Sequence, residues 1–298
     1  MRAFTKKSNG IISSIELKNR KTQILYWCMF LICLVLALIC VLPVIWIMFS
    51  SLKDISEFYS SPPTIIPKTF QPEKILISWE QLKLGSYLRN TLIIAAGRII
   101  FCIVGTGLAG YVLSRLKPKG TGGMMRILLW SMMLPGSVSL VAGYLQAVDF
   151  PYLHINFTNN FTYFWLGALG NAYYALLFKS FFDSISESLV EAAKIDGCQE
   201  LGIFFRIIMP LSIPIVVVIG IFTFNDSWSD FLMPYLLLKD ESLKTISQLI
   251  FSIKMSGSQV SQDIYLVMVM MSMIPPLIIF LIFNKHIMNG INIGGVKG

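Results

Sequence analysis

An all-α integral membrane protein with six transmembrane helices is the fold class this sequence predicts, on three observations. The first is composition: 298 residues, 55% hydrophobic and 13% charged, with a mean hydropathy of +0.70, whereas soluble domains carry about 25% charged residues. The second is six segments, near residues 24–49, 87–113, 127–148, 161–182, 205–225 and 264–284, each supplying the ~20 mostly apolar residues that a helix needs to cross a bilayer. The third is the absence of period-two apolar alternation. Lipid permits only helices and closed barrels, so the helix is predicted.

Taken in order, residues 1–23 form a basic segment in which Arg2, Lys6, Lys7, Lys18, Arg20 and Lys21 are opposed only by Glu16. The long basic lead-in, the long apolar run after it and the lack of a small-residue cleavage site argue against a cleavable signal. The first span contains Pro43, the third Pro135, the fifth Pro214 and the sixth Pro275 and Pro276; each removes a backbone donor and predicts a kink. The 114–126 loop carries Arg115, Lys117, Lys119 and Arg126 with no acid, while 149–160 has no Lys or Arg, only Asp149 and His154. The positive-inside rule therefore puts both termini, 114–126 and 183–204 on the cytoplasmic side of a multi-pass membrane protein. Loops 50–86, 149–160 and 226–263 face outward, the first with four lysines balanced by Asp54, Glu57, Glu73 and Glu80. The domain reading is a cytoplasmic segment 1–23 and one transmembrane domain 24–298, with a polar loop at 183–210 and a cytoplasmic tail at 285–298.

Several function classes are disfavoured. The charge of +8 clusters beside apolar segments, as in membrane proteins, with no aromatic-interleaved patch for nucleic acid. Cys28, Cys33, Cys40, Cys102 and Cys198 form no CxxC or Cys/His cluster, so no disulfide framework or metal site is indicated; they read as small buried hydrophobes. No Gly-Lys-Ser or Gly-Lys-Thr is present, so any ATP driving this protein is bound by another chain. No internal repeat of the secondary-transporter kind is visible. The only histidines are His154 and His286, and no carboxylate is expected inside the six spans. An enzyme and an ATP-independent secondary transporter or channel are thus the alternatives to a subunit driven by a partner.

The polar loop is the most informative stretch. Ser184 followed by Glu187 reads as a capping box that starts a helix. Ile185, Leu189, Ala192 and Ala193 recur on one face and Glu187, Glu191 and Lys194 on another. Gly197 suits a left-handed helix stop, with Asp196 helping to fix the turn, and a second helix is expected from Gln199 through Pro210 into the fifth span. One reading is a helix lying on lipid headgroups. Such helices are usually rich in Lys and Arg, whereas this one is acidic, which favours docking on a soluble protein.

The spacing Glu191-Ala192-Ala193, three residues, Gly197, nine residues, Ile207-Ile208-Met209-Pro210 resembles the EAA loop of permease subunits of binding-protein-dependent ABC importers, with Met209 standing where Leu is usual. The resemblance extends over residues 45 to 298 to the maltose-transporter-like, carbohydrate-type permeases. It rests on Ser51-Leu52-Lys53, Asn90-Thr91-Leu92, Tyr111 to Leu116, Trp228-Ser229-Asp230-Phe231-Leu232 with Pro234, and the ending Gly294-Gly295-Val296-Lys297-Gly298. It implies a type I ABC importer permease fold with a cytoplasmic coupling helix, in a sugar importer. It also implies a second permease, two ATPase subunits that bind ATP and Mg, and an extracytoplasmic solute-binding protein. By resemblance, Glu191, Ala192, Ala193, Asp196, Gly197 and Pro210 belong to the surface meeting the ATPase, and the tail 294–298 reaches toward the ATPase dimer. On its own composition the same tail reads equally as a disordered end.

Polar residues at membrane depth are functional candidates. Asn90, Arg98, Asn171, Tyr173, Tyr174, Asn225, Trp228 and Asp230 are the candidates for the substrate path. Ordinary packing, or for Trp228 the interfacial aromatic belt, is the competing reading, and for Arg98 pairing with another chain of the complex.

Overall fold

The computed structural model describes residues 20–62, 64–255 and 260–291. Among these there is no strand, only an isolated bridge between Phe150 and Ile155. The chain divides into two compact units, Met1–Pro72 and Glu73–Gly298.

In the first unit, α1 (Arg20–Ser50) is one helix of 31 residues with Pro43 inside it. At 1.5 Å per residue it is about 46 Å long, more than the ~30 Å hydrocarbon layer. After α1, the short α2 (Ile55–Phe58) starts at Asp54, whose carboxylate accepts the Ser56 N–H. Glu57 organises the rest: its carboxylate accepts the Thr64 hydroxyl at 2.7 Å and the Lys68 N–H at 2.9 Å.

The second unit begins with α3 (Glu73–Gln81) and α4 (Leu84–Tyr111), which a π turn extends to Leu116. Next come α5 (Thr121–Met133) and α6 (Gly136–Val148), then α7 (Thr162–Gly167) and α8 (Ala172–Asp183). The polar loop holds α9 (Glu187–Ile195), α10 (Glu200–Ile203) and, after a π turn, α11 (Met209–Leu211). Helices α12 (Ile213–Ser229), α13 (Leu232–Leu237), α14 (Ile246–Met255) and α15 (Gln262–Ile291) complete it.

All six predicted apolar segments are helical, but three are interrupted rather than continuous. The third stops at Met133 and restarts at Gly136, because Leu134, which precedes Pro135, is driven to extended backbone. The fourth breaks at Asn171, whose extended backbone separates a 3-10 turn from α8. The fifth is bent by 82° between Glu200–Leu211 and Ile213–Ser229, so the expected run from Gln199 straight into the fifth span is corrected. Pro210 and Pro214 flank the bend, and Ser212 supports it: its N–H is shared by the Ile208 and Met209 carbonyls and its hydroxyl bonds Ile208 O at 2.7 Å. The sixth segment runs unbroken through Pro275 and Pro276.

Helix α4 is central to this unit. Tyr111 and Cys102 pack with Tyr174, Phe178 and Phe182 of α8, with Ile219 of α12, and with Ile203, Phe204 and Ile208. Close approach of α4 to α8 depends on Gly110, where a Cβ would sit 2.6 Å from Phe178 Cβ and 3.0 Å from the Ala175 carbonyl. Small residues serve this purpose at helix contacts in membranes. A second cluster joins Leu84 and Tyr87 to α14 and Met268; a third joins Ile94 to Ala147, Phe164 and Leu237.

Candidate functional site: the polar loop and the wall of the fifth span

The polar loop is a braced structure. Helix α8 ends with the Ser184 and Ile185 N–H groups bonded back to Phe181 and Phe182 O, and the Ser184 hydroxyl bonds Phe181 O at 2.6 Å. Ser184 therefore closes α8 and does not open the next helix. The N-cap of α9 is Ser186, without a side-chain capping bond; the expected capping box is corrected. Arg115 instead secures the end of α8, its guanidinium donating to the carbonyls of Phe182 and Ile185, as cations do at helix C-termini. Ser114 donates to Asp183 at 2.6 Å, and Lys179 pairs with the same carboxylate at 2.6 Å.

At its other end α9 closes in a Schellman motif. Gly197 sits at φ +79, its N–H bonded to Lys194 O and the Cys198 N–H to Ala193 O. No atom lies within 4 Å of a Cβ built on Gly197, so only backbone conformation requires glycine here. Asp196 acts through its main chain, its N–H bonded to Ala192 O at 3.0 Å. Lys194 pairs with Glu200 at 2.7 Å, and Glu200 accepts the Tyr111 hydroxyl at 2.8 Å. This chain fastens α9 to α4.

The faces of α9 differ from the predicted ones. Val190 and Ala193 are buried in the main cluster; Leu189, Glu187, Glu191 and Ala192 are exposed. Ala192 and Ala193 are thus divided between an outer and an inner face. Ile195 is 86% exposed, and Leu201 and Phe205 are also exposed. Four large apolar side chains beside two acids form a surface suited to a partner. The single-sequence reading missed Ile195, although a large apolar residue just before a helix stop was its visible signal.

The second feature is a polar face in the fifth span. On α12, Val218, Ile219, Ile221, Thr223, Phe224 and Ser227 are buried, while Phe222, Asn225, Asp226 and Ser229 are exposed at helical spacing. The helix runs past the predicted end at 225 and so contains Asp226. The expectation of no carboxylate within the spans is therefore corrected. The Tyr174 hydroxyl donates to Asp226 Oδ2 at 2.9 Å, and Arg98 Nη1 pairs with Asp230 Oδ2 at 3.1 Å, both side chains less than a quarter exposed.

A family profile described as the binding-protein-dependent transport system inner membrane component matches residues 102–292. The chain belongs to this family. It is 31% identical over 261 residues to the probable ABC transporter permease protein YurM of Bacillus subtilis, covering 86% of this chain and 83% of that one. It is 28% identical over 289 residues to the polygalacturonan/rhamnogalacturonan transport system permease protein YtcP of the same organism, covering 89% and 95%. Its fold matches a chain of a bacterial ABC transporter involved in the import of the acidic polysaccharide alginate, with TM-score 0.79, 18% identity and coverage of 90% and 98%.

Within this ABC importer permease, the sequence candidates separate into two groups. Glu191, Ala192, Asp196, Gly197 and Pro210 are exposed in the polar loop, while Ala193 is internal; Gly294 to Gly298 lie outside the described residues. Arg98, Tyr174, Asn225 and Asp230 gather with Asp226 at α12, and Tyr173 is 49% exposed beside Tyr174. Arg98, expected to pair with another chain, pairs within this chain with Asp230 through Nη1, while its buried Nε has no partner among the described residues. Three candidates are engaged in hydrogen bonds within the chain. Asn90, 3% exposed, donates to Ser242 O at 2.8 Å and Lys244 O at 3.0 Å. Asn171 caps α8 by accepting the Tyr174 N–H, and Trp228 donates to Ser272 O at 3.0 Å while stacking on Phe224. Next to Asn90, the Lys244 ammonium and then the Tyr87 hydroxyl hold the Glu241 carboxylate below the usual carboxylate range.

Proposed function

We propose that this permease carries a saccharide across the bacterial inner membrane as one of two permease chains around a shared path. Two ATPase subunits dock on it from the cytoplasm, and a solute-binding protein delivers the cargo outside. ATP and Mg belong to the ATPase chains and hydrolysis takes place there, so this chain is the mechanical, non-catalytic part. Both termini and the polar loop are cytoplasmic in this reading, in keeping with the excess of Lys and Arg at 114–126.

The observation that carries the reading is the exposed face of α9. It projects Leu189 and Ile195 with Glu187 and Glu191 from a loop fastened by Arg115, the Lys194–Glu200 pair and the Gly197 turn. A surface that is apolar, acidic and rigid fits insertion into a groove of a soluble partner, and its rigidity lets a moving partner push on it. The saccharide cargo follows from the names of the relatives and from the exposed Asn225, Asp226, Ser229 and Tyr173 on the span. These groups can exchange hydrogen bonds with hydroxyls in a wet path.

Glu191→Lys, in the complex purified from membranes with its partner chains, is the test. The variant is expected to assemble in the membrane while binding-protein-stimulated ATP hydrolysis and uptake fall at least tenfold. Normal uptake by this variant overturns the reading. So does recovery of a fully active chain with no ATPase attached.

A further inference from the structure

We infer that the cavity between the end of α12, α14 and α15 is a subsite for a single pyranose ring, and that Lys254 favours a ring carrying a carboxylate. The inference rests on the saccharide reading above and goes further by assigning the residues that hold one sugar unit and the chemistry of that unit.

The cavity has a volume of about 380 Å³ and is open rather than sealed; small-molecule sites typically run from about 300 to 1,000 Å³. Its walls are aromatic: Trp228 at the end of α12, Phe231, Phe251 of α14 and Tyr265 of α15. Two of these rings are fixed from behind. The Trp228 indole stacks on Phe224 with ring centres 5.3 Å apart and donates to Ser272 O at 3.0 Å. Phe231 packs on Phe251 with ring centres 4.2 Å apart. All four wall residues are partly exposed, which leaves ring surface for a ligand. Aromatic faces are electron-rich, and the C–H groups on one side of a pyranose, polarised by its oxygens, pack on such faces.

The polar lining suits the rest of a sugar. Ser229 donates its hydroxyl hydrogen to Asn225 O at 2.6 Å and Ser247 donates to Trp228 O at 3.1 Å. Both serine oxygens therefore keep lone pairs that accept from sugar hydroxyls. Lys254 supplies the donor. It is exposed, lines the same cavity, and has no hydrogen bond or ion pair on its ammonium among the described residues. The carboxylates nearest to it in sequence along the lining elements are engaged: Asp230, beside Ser229, by Arg98, and Asp263, near Tyr265, by Lys74 at 2.6 Å. Asp226, one turn before Ser229, is outside the described lining and is bonded by Tyr174. A charge-assisted bond from an ammonium to a carboxylate is roughly twice as strong as a bond between neutral groups, so Lys254 makes a uronate the better occupant. A lipid tail would use the aromatic walls alone and leave the serines and the ammonium without a partner.

The test uses the full complex with its partner chains, purified in a detergent that has no sugar headgroup. It is titrated with methyl galactopyranoside and methyl galactopyranosiduronate, which differ only at the exocyclic carbon. Aromatic protons of the protein are saturated and transfer to the sugar ring protons is read by NMR. Packing on an aromatic face tolerates most hydroxyl patterns, so these pyranosides serve as probes whatever the natural cargo is. Both are expected to receive saturation in the wild-type complex, the uronate with the higher affinity. Ser229→Leu fills the cavity from an exposed position and is expected to abolish most of the transfer. Phe251→Leu, the second variant should Ser229→Leu fail to assemble, is expected to weaken both probes about threefold, the low end of what an aromatic face contributes. Lys254→Gln is expected to weaken the uronate about tenfold, the low end for a hydrogen bond to a charged group, and the galactoside less. Absence of transfer in the wild-type complex, or transfer that Ser229→Leu leaves undiminished, overturns the subsite; the permease reading stands, because the ATPase subunits still co-purify. A uronate preference that is missing, or that survives Lys254→Gln, overturns the role given to Lys254. Recovery of an active chain with no ATPase attached, seen before any probe is added, overturns the reading on which the inference rests.

Discussion

Gly197→Ala isolates the contribution of one backbone conformation to coupling. Gly197 is at φ +79 with no atom within 4 Å of a new Cβ, so the substitution introduces no clash. What it does introduce is the cost of a non-glycine residue in the left-handed region, about 1–2 kcal/mol. Against a total stability of about 5–15 kcal/mol this leaves the protein folded and inserted. Locally it matters: about 1 kcal/mol changes the ratio of closed to open Schellman turn about fivefold, so the last turn of α9 and Ile195 are held less firmly. The expected result is normal membrane yield with binding-protein-stimulated ATP hydrolysis reduced about fivefold in the reconstituted complex. Gly197→Asn, which tolerates the left-handed region better, should recover much of the loss. Gly202→Ala is the control, because Gly202 lies in helical backbone and has nothing within 4 Å of its Cβ; it should be neutral or stabilising. Equal activity of the Ala and Asn variants at 197, or full activity of both, refutes the argument that a fixed turn transmits force.

Three other outcomes are expected. Ile195→Ser removes an 86% exposed side chain, so thermal stability of the isolated chain should be unchanged while co-purification of the ATPase subunits drops; undiminished co-purification would mean that Ile195 is not in the contact. Gly110→Val drives a branched side chain into Phe178 and the Ala175 carbonyl and should cost about 1–3 kcal/mol, seen as a lower melting temperature and yield in detergent; a wild-type melt would show that α4 and α8 can separate freely. Asn90→Ala strips donors from the Ser242 and Lys244 carbonyls and should cost about 1–3 kcal/mol, loosening the 241–245 segment to proteolysis. An unchanged cleavage pattern would argue that Asn90 does not secure that segment.

Hydropathy made the helical content and the six apolar segments legible, because a bilayer selects on length and apolarity almost alone. It did not reveal where helices break. Pro135 and Pro214 were visible and predicted kinks, yet whether a proline bends a helix or stops it depends on what satisfies the freed carbonyls. Pro275 and Pro276 lie within the unbroken α15, while Ser212 stabilises an 82° bend beside Pro214. Gly197 was readable because a left-handed turn has a local chemical signature. The inner and outer faces of α9 were not, because Val190 and Ala193 face a core assembled from α4, α8 and α12, partners distant in sequence. The Tyr174–Asp226 pair, 52 residues apart, was hidden for the same reason, and Asp226 was set aside by a span boundary drawn four residues short of the helix end.

The polar loop and the residue that holds the polar face of α12 share one packed body. Val190 and Ala193, the inner face of α9, belong to the same buried cluster as Phe178, Phe182 and Tyr174, and Tyr174 is the residue that holds Asp226. Close-packed interiors do not compress to absorb displacement, so a push on α9 is carried into α8 as a unit rather than dissipated within the loop. The chain changes direction elsewhere, at Ser212, which sits between Pro210 and Pro214 with its N–H on the Ile208 and Met209 carbonyls while α12 sets off at 82°. A rigid block meeting a bend at the base of the helix that bears Asn225, Asp226 and Ser229 is the arrangement by which rotation at the loop changes which way that polar face points.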